Sequence, residues 1–384
     1  MIPFSVTYLM DKLAPSETFI RRELEQLRRR NWPIFSRLLS DGSDRLAFAL
    51  LSCPEGFRLR FFKVATARVA RELYHSPVTA LRIIKRLPQA SSLVKKTLEC
   101  ESRLIHSQFA GITADLASIA AKTLGINWTC SVHASDIYTT RPSLTLRRLD
   151  SVAAIAACSQ QVADATAAAG IPATKIHLIH HGLPLNDFQL NTIRPEEFIF
   201  TACRLDNKKG IDTLLKACAV LAERGINMPC IIAGAGPDEF KLKKLRGMLN
   251  LNDHVFFKGW LSQEETRAYI RNAILTVLPS RRTVKDDRDG IANILVESLA
   301  LGTPVITTTA GAAEEFIQSG VNGVLVKPDD HLELAEAMAK TLESKQLRNQ
   351  FIHAGRHTAE RLFDGAANIQ LLESFFEQAV YTTE

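Results

Sequence analysis

The stretch RDGIANILVE (288–297) holds two carboxylates, Asp289 and Glu297, eight positions apart around a glycine that opens an apolar helical pattern. That spacing is a little over two helical turns, so both acids can face one ligand from opposite ends of a turn-and-helix unit. If Gly290, Ile291, Ala292 and Asn293 form the helix start, their backbone amides and the helix dipole favour an anion such as a phosphate. One carboxylate then binds sugar hydroxyls near the helix start, and the other, a turn inside, accepts hydrogen bonds from a vicinal diol such as ribose. The plainer alternative is that Asp289 caps the helix and Glu297 is a solvated helix residue.

Three other stretches place reactive side chains where a strand gives way to a turn. In FTACRLDNKKGIDTLL, Arg204 ends a strand and Lys209 precedes the glycine that opens the next helix. Two fixed cations there can neutralise a diphosphate without a metal and stabilise it as a leaving group gains charge. The competing reading makes them surface charges paired with Asp206 or Asp212, most readily for Lys208. In CSVHASDIY, His133 follows a strand directly and can bind sugar hydroxyls or shuttle a proton, although a single histidine in such a protein is often structural. LAPSETFIRREL leads from the first strand into a helix start at Ser16 and Glu17, a natural place for an acceptor or an anion. AGAAEEF repeats the strand, glycine turn and acidic helix-start pattern, and puts Glu315 within reach of the same ligand. IIAGAGP has the wrong glycine spacing for a dinucleotide fingerprint and reads as a tight turn.

These segments need a scaffold, and the chain supplies an alternating one. Strand patterns occur at 4–9, 33–39, 104–110, 127–134, 152–159 and 175–182, then at 197–205, 229–236, 254–260, 274–280, 304–310 and 323–328, with helical patterns between them. This is parallel βαβ construction in two similar halves. In SETFIRRELEQLRRR, Ile20, Leu24 and Leu27 share one face and Ser16 can cap the start. The polar stretch 190–198 reads as the linker. The expected organisation is an acceptor-binding domain over 1–190, a nucleotide-binding domain over 191–363, and a last helix over 364–384 packing back on the first domain. Two such α/β domains are expected to face each other across a cleft at the carboxyl ends of their strands, where ligands bind.

Composition limits the alternatives. A chain of 384 residues, 46% hydrophobic and 23% charged, is an ordinary globular protein, too long for one core. The longest run free of charged residues, 298–313, is broken by Gly302 and Pro304 and does not reach the length of a membrane span. The N-terminus lacks a basic start and a small-residue cleavage site, so a cytoplasmic location is expected. Seven cysteines without a CxxC pair read as reduced, buried thiols rather than a disulfide or zinc framework. Residues 56–103 carry eleven Lys/Arg against three Asp/Glu, with aromatic residues interleaved. That pattern suits either an anionic membrane surface or a solvated helical face. No motif points to nucleic acid.

Taken in order, PSETFI, HASDIY, CRLDNKKGID, GAGP, GWLSQEE, DGIANILVESLALGTPVITT and GVNGVLV resemble the retaining glycosyltransferases of family 4, with the GT-B fold. The nearer likeness is to exopolysaccharide and lipopolysaccharide-type bacterial transferases, because PSETFI stands in place of a glycine-rich first loop. The resemblance implies transfer of a hexosyl group from a nucleotide-diphosphate sugar to a glycan or lipid-linked acceptor, with no metal or other cofactor in the chemical step. It implies Arg204 and Lys209 on the diphosphate, Glu297 on the ribose, and Asp289 with Gly290, Ile291, Ala292 and Asn293 on the donor. Glu315 belongs to the same donor group. His133 would sit by the sugar's reactive side, and Ser16, Glu17 and Asp136 on the acceptor side. The family describes a same-face attack in which the leaving phosphate helps deprotonate the acceptor. Its first motif acid is usually glutamate, and here it is Asp289, one methylene shorter. The Asp-x-Asp in DDRD matches a metal motif of another glycosyltransferase fold, but its flanking residues fit the two-domain pattern. A sugar-nucleotide epimerase of the same fold and a non-catalytic nucleotide-sugar-binding subunit are the competing functions. For a transferase, the expected place of work is the cytoplasm, with peripheral contact at the inner membrane face through the basic 56–103 region.

Overall fold

Each of the twelve β-rich runs forms a strand in the computed structural model, which describes residues 4–11, 17–38, 53–190 and 198–381. The chain divides into two units, Met1–Ile179 with Asn368–Glu384, and His180–Ala367.

In the first unit the strands are β1 (Ser5–Met10), β2 (Ile34–Leu38), β3 (Ser102–Gln108), β4 (Asn127–Val132), β5 (Ala154–Ala157) and β6 (Ile176–Leu178). They form one parallel sheet in the order β2-β1-β3-β4-β5-β6. Its described helices are α1 (Thr18–Arg29), α2 (Arg58–His75), α3 (Pro77–Glu99), α4 (Ile112–Leu124), α5 (Ala134–Tyr138), α6 (Pro142–Arg148) and α7 (Gln160–Ala168). Strand side chains alternate between the two faces. Leu9, Ile105, Cys130 and Ile155 enter one core with residues of α2, α3 and α4, while Tyr8, Leu104, Ala154 and Ala156 enter the other with Ile20, Leu24 and Leu27 of α1.

The second unit repeats the plan with β7 (Ile199–Ala202), β8 (Cys230–Ala233), β9 (Val255–Gly259), β10 (Leu275–Leu278), β11 (Val305–Thr308) and β12 (Val324–Val326). Its parallel order is β12-β11-β10-β7-β8-β9. The helices are α8 (Ile211–Glu223), α9 (Glu239–Met248), α10 (Gln263–Asn272), α11 (Asn293–Leu301), α12 (His331–Glu343) and α13 (Lys345–Leu362). In each sheet the winding direction reverses once, between β1 and β3 and between β7 and β10. Loops at such a switch point diverge and leave room for a ligand at the strands' carboxyl ends.

The division falls at 179/180 rather than at 190/191. The cause is local pairing: Leu183 exchanges backbone hydrogen bonds with Phe363 and Gly365, at 2.8 Å each, which ties the segment after β6 to the second unit. Of the expected linker, residues 191–197 lie outside the described residues. The last helix, α14 (Gly365–Tyr381), carries Ile369, Leu372, Phe375, Phe376 and Ala379 into the core shared by β1 and α1. Phe376 packs on Tyr8, Trp32 and His106, and Glu373 accepts two hydrogen bonds from Arg30 at 2.6 and 2.9 Å. All seven cysteines are free thiols, and five are buried. No helix among the described residues is long and apolar enough to cross a membrane.

Phe376 is wholly buried, so Phe376→Ala should cost about 3–5 kcal/mol of stability in denaturant unfolding. A loss near zero would mean that α14 is not part of the first unit's core.

Candidate functional site

At the switch point of the second sheet, the loop after β7 and the loop after β10 come together. Gly210 ends a short turn (Asn207–Lys209) with φ of 63°, and a Cβ there would lie 1.9 Å from the carbonyl oxygen of Pro279. Only glycine allows that approach of one loop to the other. It brings the Lys209 ammonium to 2.7 and 2.8 Å from the two oxygens of Asp289. The Ser280 hydroxyl donates to the same carboxylate at 2.7 Å. Burial by itself would push the Asp289 carboxyl up, but Lys209, Lys208 and the Ser280 hydrogen bond outweigh it and hold it below the usual carboxylate range. Burial likewise disfavours the Lys209 ammonium, and Asp289 more than restores it, so that its pKa is raised. The structure therefore places Lys209 and Asp289 on each other, where the sequence assigned them to different parts of a donor.

The surrounding charges follow the same pattern. Lys208 pairs with Asp287 at 3.2 Å, not with Asp206 or Asp212. Asp212 is taken by Arg281 at 2.6 Å, and Arg281 also reaches Asp329 at 2.7 Å. Burial raises the Asp206 carboxyl, the two lysines oppose the rise and Asp289 adds to it. The buried Oδ1 of Asp206 has no hydrogen-bond partner among the described residues. Arg204 stands two residues beyond the end of β7, with its side chain 69% exposed and 3.6 Å from Asp206. It is the cation of this group most open to solvent. Burial also pushes the neighbouring Cys203 thiol up to about 12, so it is no nucleophile.

Beyond Asp289 the chain runs through Gly290, Ile291 and Ala292 into α11, whose N-cap is Ala292 with no side-chain capping bond. Asp289 is thus not the helix cap. Glu297 is buried, which removes the solvated alternative for it. The turn at Gly311, where φ is 97°, packs so closely that a Cβ would lie 2.4 Å from the Asp289 carbonyl oxygen. Glu315, half-buried, ends the short helical turn Ala312–Glu315 that follows.

The first unit builds a polar network at the ends of its own central strands. His133 follows β4, and its Nε2 lies 3.3 Å from Oε1 of Gln108, the last residue of β3. The amide nitrogen of Gln108 donates to the Tyr8 hydroxyl at 2.6 Å and to Glu23 at 2.8 Å. Tyr8 donates to Glu23 as well. A carboxylate only accepts, so the Gln108 nitrogen must face Glu23, its oxygen must face His133, and the imidazole must donate from Nε2. Phe109 and Phe19 flank the ring, with centroids 4.5 and 5.2 Å away. The Asp136 carboxylate is buried and accepts from the His133 backbone amide at 2.9 Å. It holds His133 in place rather than standing open to an acceptor. Glu17 occupies the N-cap position of α1 without a side-chain capping bond. Ser16 lies outside the described residues.

Sequence reasoning missed Gln108, Glu23, Tyr8, Ser280 and Arg281. Gln108 and Ser280 carried a usable signal, since each is a polar residue at the carboxyl end of a strand beside a switch point.

Two Rossmann-like parallel sheets in one chain are the GT-B fold. The chain belongs to glycosyltransferase family 4: residues 16–187 match the family described as Glycosyltransferase Family 4, and residues 184–358 match Glycosyl transferases group 1. A Salmonella typhimurium protein named for colanic acid biosynthesis as a glycosyltransferase is 29% identical over 208 residues, 53% of this chain and 51% of that one. The amylovoran biosynthesis glycosyltransferase of Erwinia amylovora is 29% identical over 200 residues, 51% of this chain and 49% of that one. The chain spans about half the length of the curated relatives it matches. Among solved structures, Anabaena HepE in complex with UDP superposes with a TM-score of 0.74 at 18% identity, over 97% of this chain and all of that one.

Asp136 generates a test in pH. Burial, against the amides of His133 and Ala110 and the charge of Arg148, raises its carboxyl from 3.8 to about 7. Between those values the folded state holds a proton that the unfolded chain has lost, so stability from this group falls as pH rises through the window. Asp136→Asn keeps an acceptor and cannot titrate. The unfolding free energy of the wild type, measured in denaturant, should decline relative to the variant from about pH 4 to about pH 7, by up to about 1.4 kcal/mol per pH unit. Parallel profiles would show that Asp136 titrates normally.

Proposed function

We propose that this chain is a retaining glycosyltransferase that moves a hexosyl group from a nucleotide-diphosphate sugar to a lipid-linked or oligosaccharide acceptor in cell-surface polysaccharide biosynthesis. The observation that carries the reading is the cluster of Arg204, Lys209, Ser280 and Asp289 at the switch point of the second sheet, next to the start of α11. A diphosphate arriving there meets the exposed Arg204, the ammonium of Lys209 and the amides of Gly290, Ile291, Ala292 and Asn293, which together stabilise it as it gains charge on leaving. Glu297 holds the ribose, and Asp289 holds both Lys209 and the donor sugar, with Glu315 completing the donor side. Binding then draws Lys209 into a contact shared between Asp289 and phosphate. Anabaena HepE, with UDP and with UDP-glucose bound, supports a donor of that class.

No divalent metal or other cofactor is required in this account. Asp287 and Asp289, the two acids of the Asp-x-Asp, are each bridged by a lysine, so the protein's own cations occupy the positions a metal would need. The first unit takes the acceptor, with His133 held by Gln108 to contact a substrate hydroxyl and Glu17 on the same side. The protein works at the cytoplasmic face of the membrane, which the basic 56–103 region contacts.

A ligand that binds only the folded state raises its apparent stability. Thermal-shift screening should therefore show stabilisation by at least one of the UDP-, GDP- and ADP-sugars. Arg204→Ala should lose most of that shift while the unliganded melting temperature stays within a few degrees. Silence across the panel would contradict the donor site. Product formed without any acceptor would replace transfer by epimerisation. Asp289→Glu should alter the preference among sugars more than the affinity for the nucleotide, and an equal loss for all donors would remove Asp289 from the sugar.

A further inference from the structure

Phe109, directly after β3, has a backbone φ of 71°. Among the described residues six that are not glycine have a positive φ, and four of them are Asn31, Asn250, Asp286 and Asp329, the types that tolerate the left-handed region. Glu101 is the fifth, on an exposed turn. Phe109 is the sixth and carries a bulky ring, for which this conformation is a true outlier. Such strain persists only where the surroundings over-determine it, and it gathers at functional sites.

The surroundings do so here. The Phe109 amide donates to the Ser131 carbonyl at 3.0 Å, and the Phe109 carbonyl accepts from Ser107 at 3.1 Å and Thr113 at 3.0 Å. Thr113 also donates to the Gln108 carbonyl at 2.8 Å. The Ala110 amide donates to Asp136, and the Ala110 carbonyl accepts from Arg148 at 3.3 Å. A glycine at 109 would make the same backbone bonds without strain, so the backbone alone does not account for a phenylalanine there. Phe109 also borders the core of β1 and α1, but it is only half-buried, and burial is then a weak reason to hold a strained aromatic.

The ring reaches His133, and so do both of its neighbours. Gln108 meets the imidazole Nε2 at 3.3 Å, and the Phe109 ring lies against the imidazole with centroids 4.5 Å apart and planes at 45°. The Asp136 carboxylate that binds the Ala110 amide also binds the His133 amide, at 2.9 Å. Three consecutive residues thus hold one histidine by its edge, its face and its backbone.

We infer that Phe109 is a positioning residue that acts through His133: its strained backbone presents the phenyl ring to the imidazole and keeps it where Nε2 donates to Gln108. The inference rests on the proposed contact of His133 with a substrate hydroxyl and adds the residue that fixes its orientation. An imidazole free to turn loses the Gln108 bond and meets a substrate in several geometries, and misplacing a contacting group slows the reaction.

The full-length protein with isotope-labelled histidine tests this without a substrate. An imidazole N–H held in a hydrogen bond exchanges slowly enough with water to give a proton resonance, and an unheld one does not. The wild type should show the Nε2–H of His133, assigned by its loss in His133→Gln. Phe109→Ala and Phe109→Gly should both lose it and Phe109→Tyr should keep it, while the buried His106, bonded to Thr129 and Ser131, stays visible in all. The Gly variant should melt above the Ala variant, because only glycine is unstrained at this φ. Nucleotide release from UDP-, GDP- or ADP-glucose, with water as acceptor, should fall about tenfold in both variants alike, with the donor's thermal shift unchanged. A resonance that is missing from the wild type or survives in the Ala and Gly variants would overturn the inference. So would activity that recovers with melting temperature from Ala to Gly, which is the behaviour of a packing residue, or a Gly variant that melts no higher than Ala. If no donor binds or turns over, the transferase reading fails, and the spectrum alone decides whether Phe109 positions His133.

Discussion

A lysine ammonium and an aspartate carboxylate buried 2.7 Å apart at the switch point of the second sheet constrain everything around them. Removing either charge from water costs several kcal/mol, and their attraction offsets that cost only where geometry and additional hydrogen bonds are good. The unit supplies both. Gly210 lets the loop after β7 close on Pro279, Ser280 adds a hydroxyl donor, and Gly311 lets the following turn pack against the Asp289 backbone. Lys208 and Asp287, one position before Lys209 and two before Asp289, form a second such pair. The family's usual glutamate would carry its carboxylate one methylene farther from the backbone. The aspartate draws back to Lys209 and Ser280, which is a physical reason for its presence.

Most of the fold was legible in the sequence. The strand runs differ enough from the helical ones in period and in β-branched content that all twelve strands were identified, ten of them trimmed at their ends where the chain turns and β1 and β3 shifted by one or two residues. What failed was assignment across the chain. Residues 180–182 read as the tail of a strand, and nothing local announces that Leu183, just after it, bonds to Phe363 and Gly365. Contacts at that sequence separation leave no periodic trace.

The site was legible as positions and not as pairings. Arg204, Lys209 and Asp289 stand out in the sequence as charged residues in loops after strands, close to glycines, and Glu297 by its spacing of eight from Asp289 on the helix that follows. That Lys209 bonds Asp289 depends on how two loops eighty residues apart meet, which propensity does not encode. His133 and Asp136 show the same limit. Both belong to one motif, yet the structure gives the acid the work of fixing the histidine backbone, while Gln108, from another strand, sets which imidazole nitrogen donates.

The claim that Lys209 and Asp289 form one unit is tested most directly by a double-mutant cycle on unfolding free energy. Lys209→Met and Asp289→Asn each remove one partner. A buried charge left unpaired should cost about 3–5 kcal/mol in each single variant. Removing both leaves no such charge, so the double variant should be more stable than either single one. A double variant whose loss equals the sum of the two single losses would mean that the residues act independently, and would contradict the account.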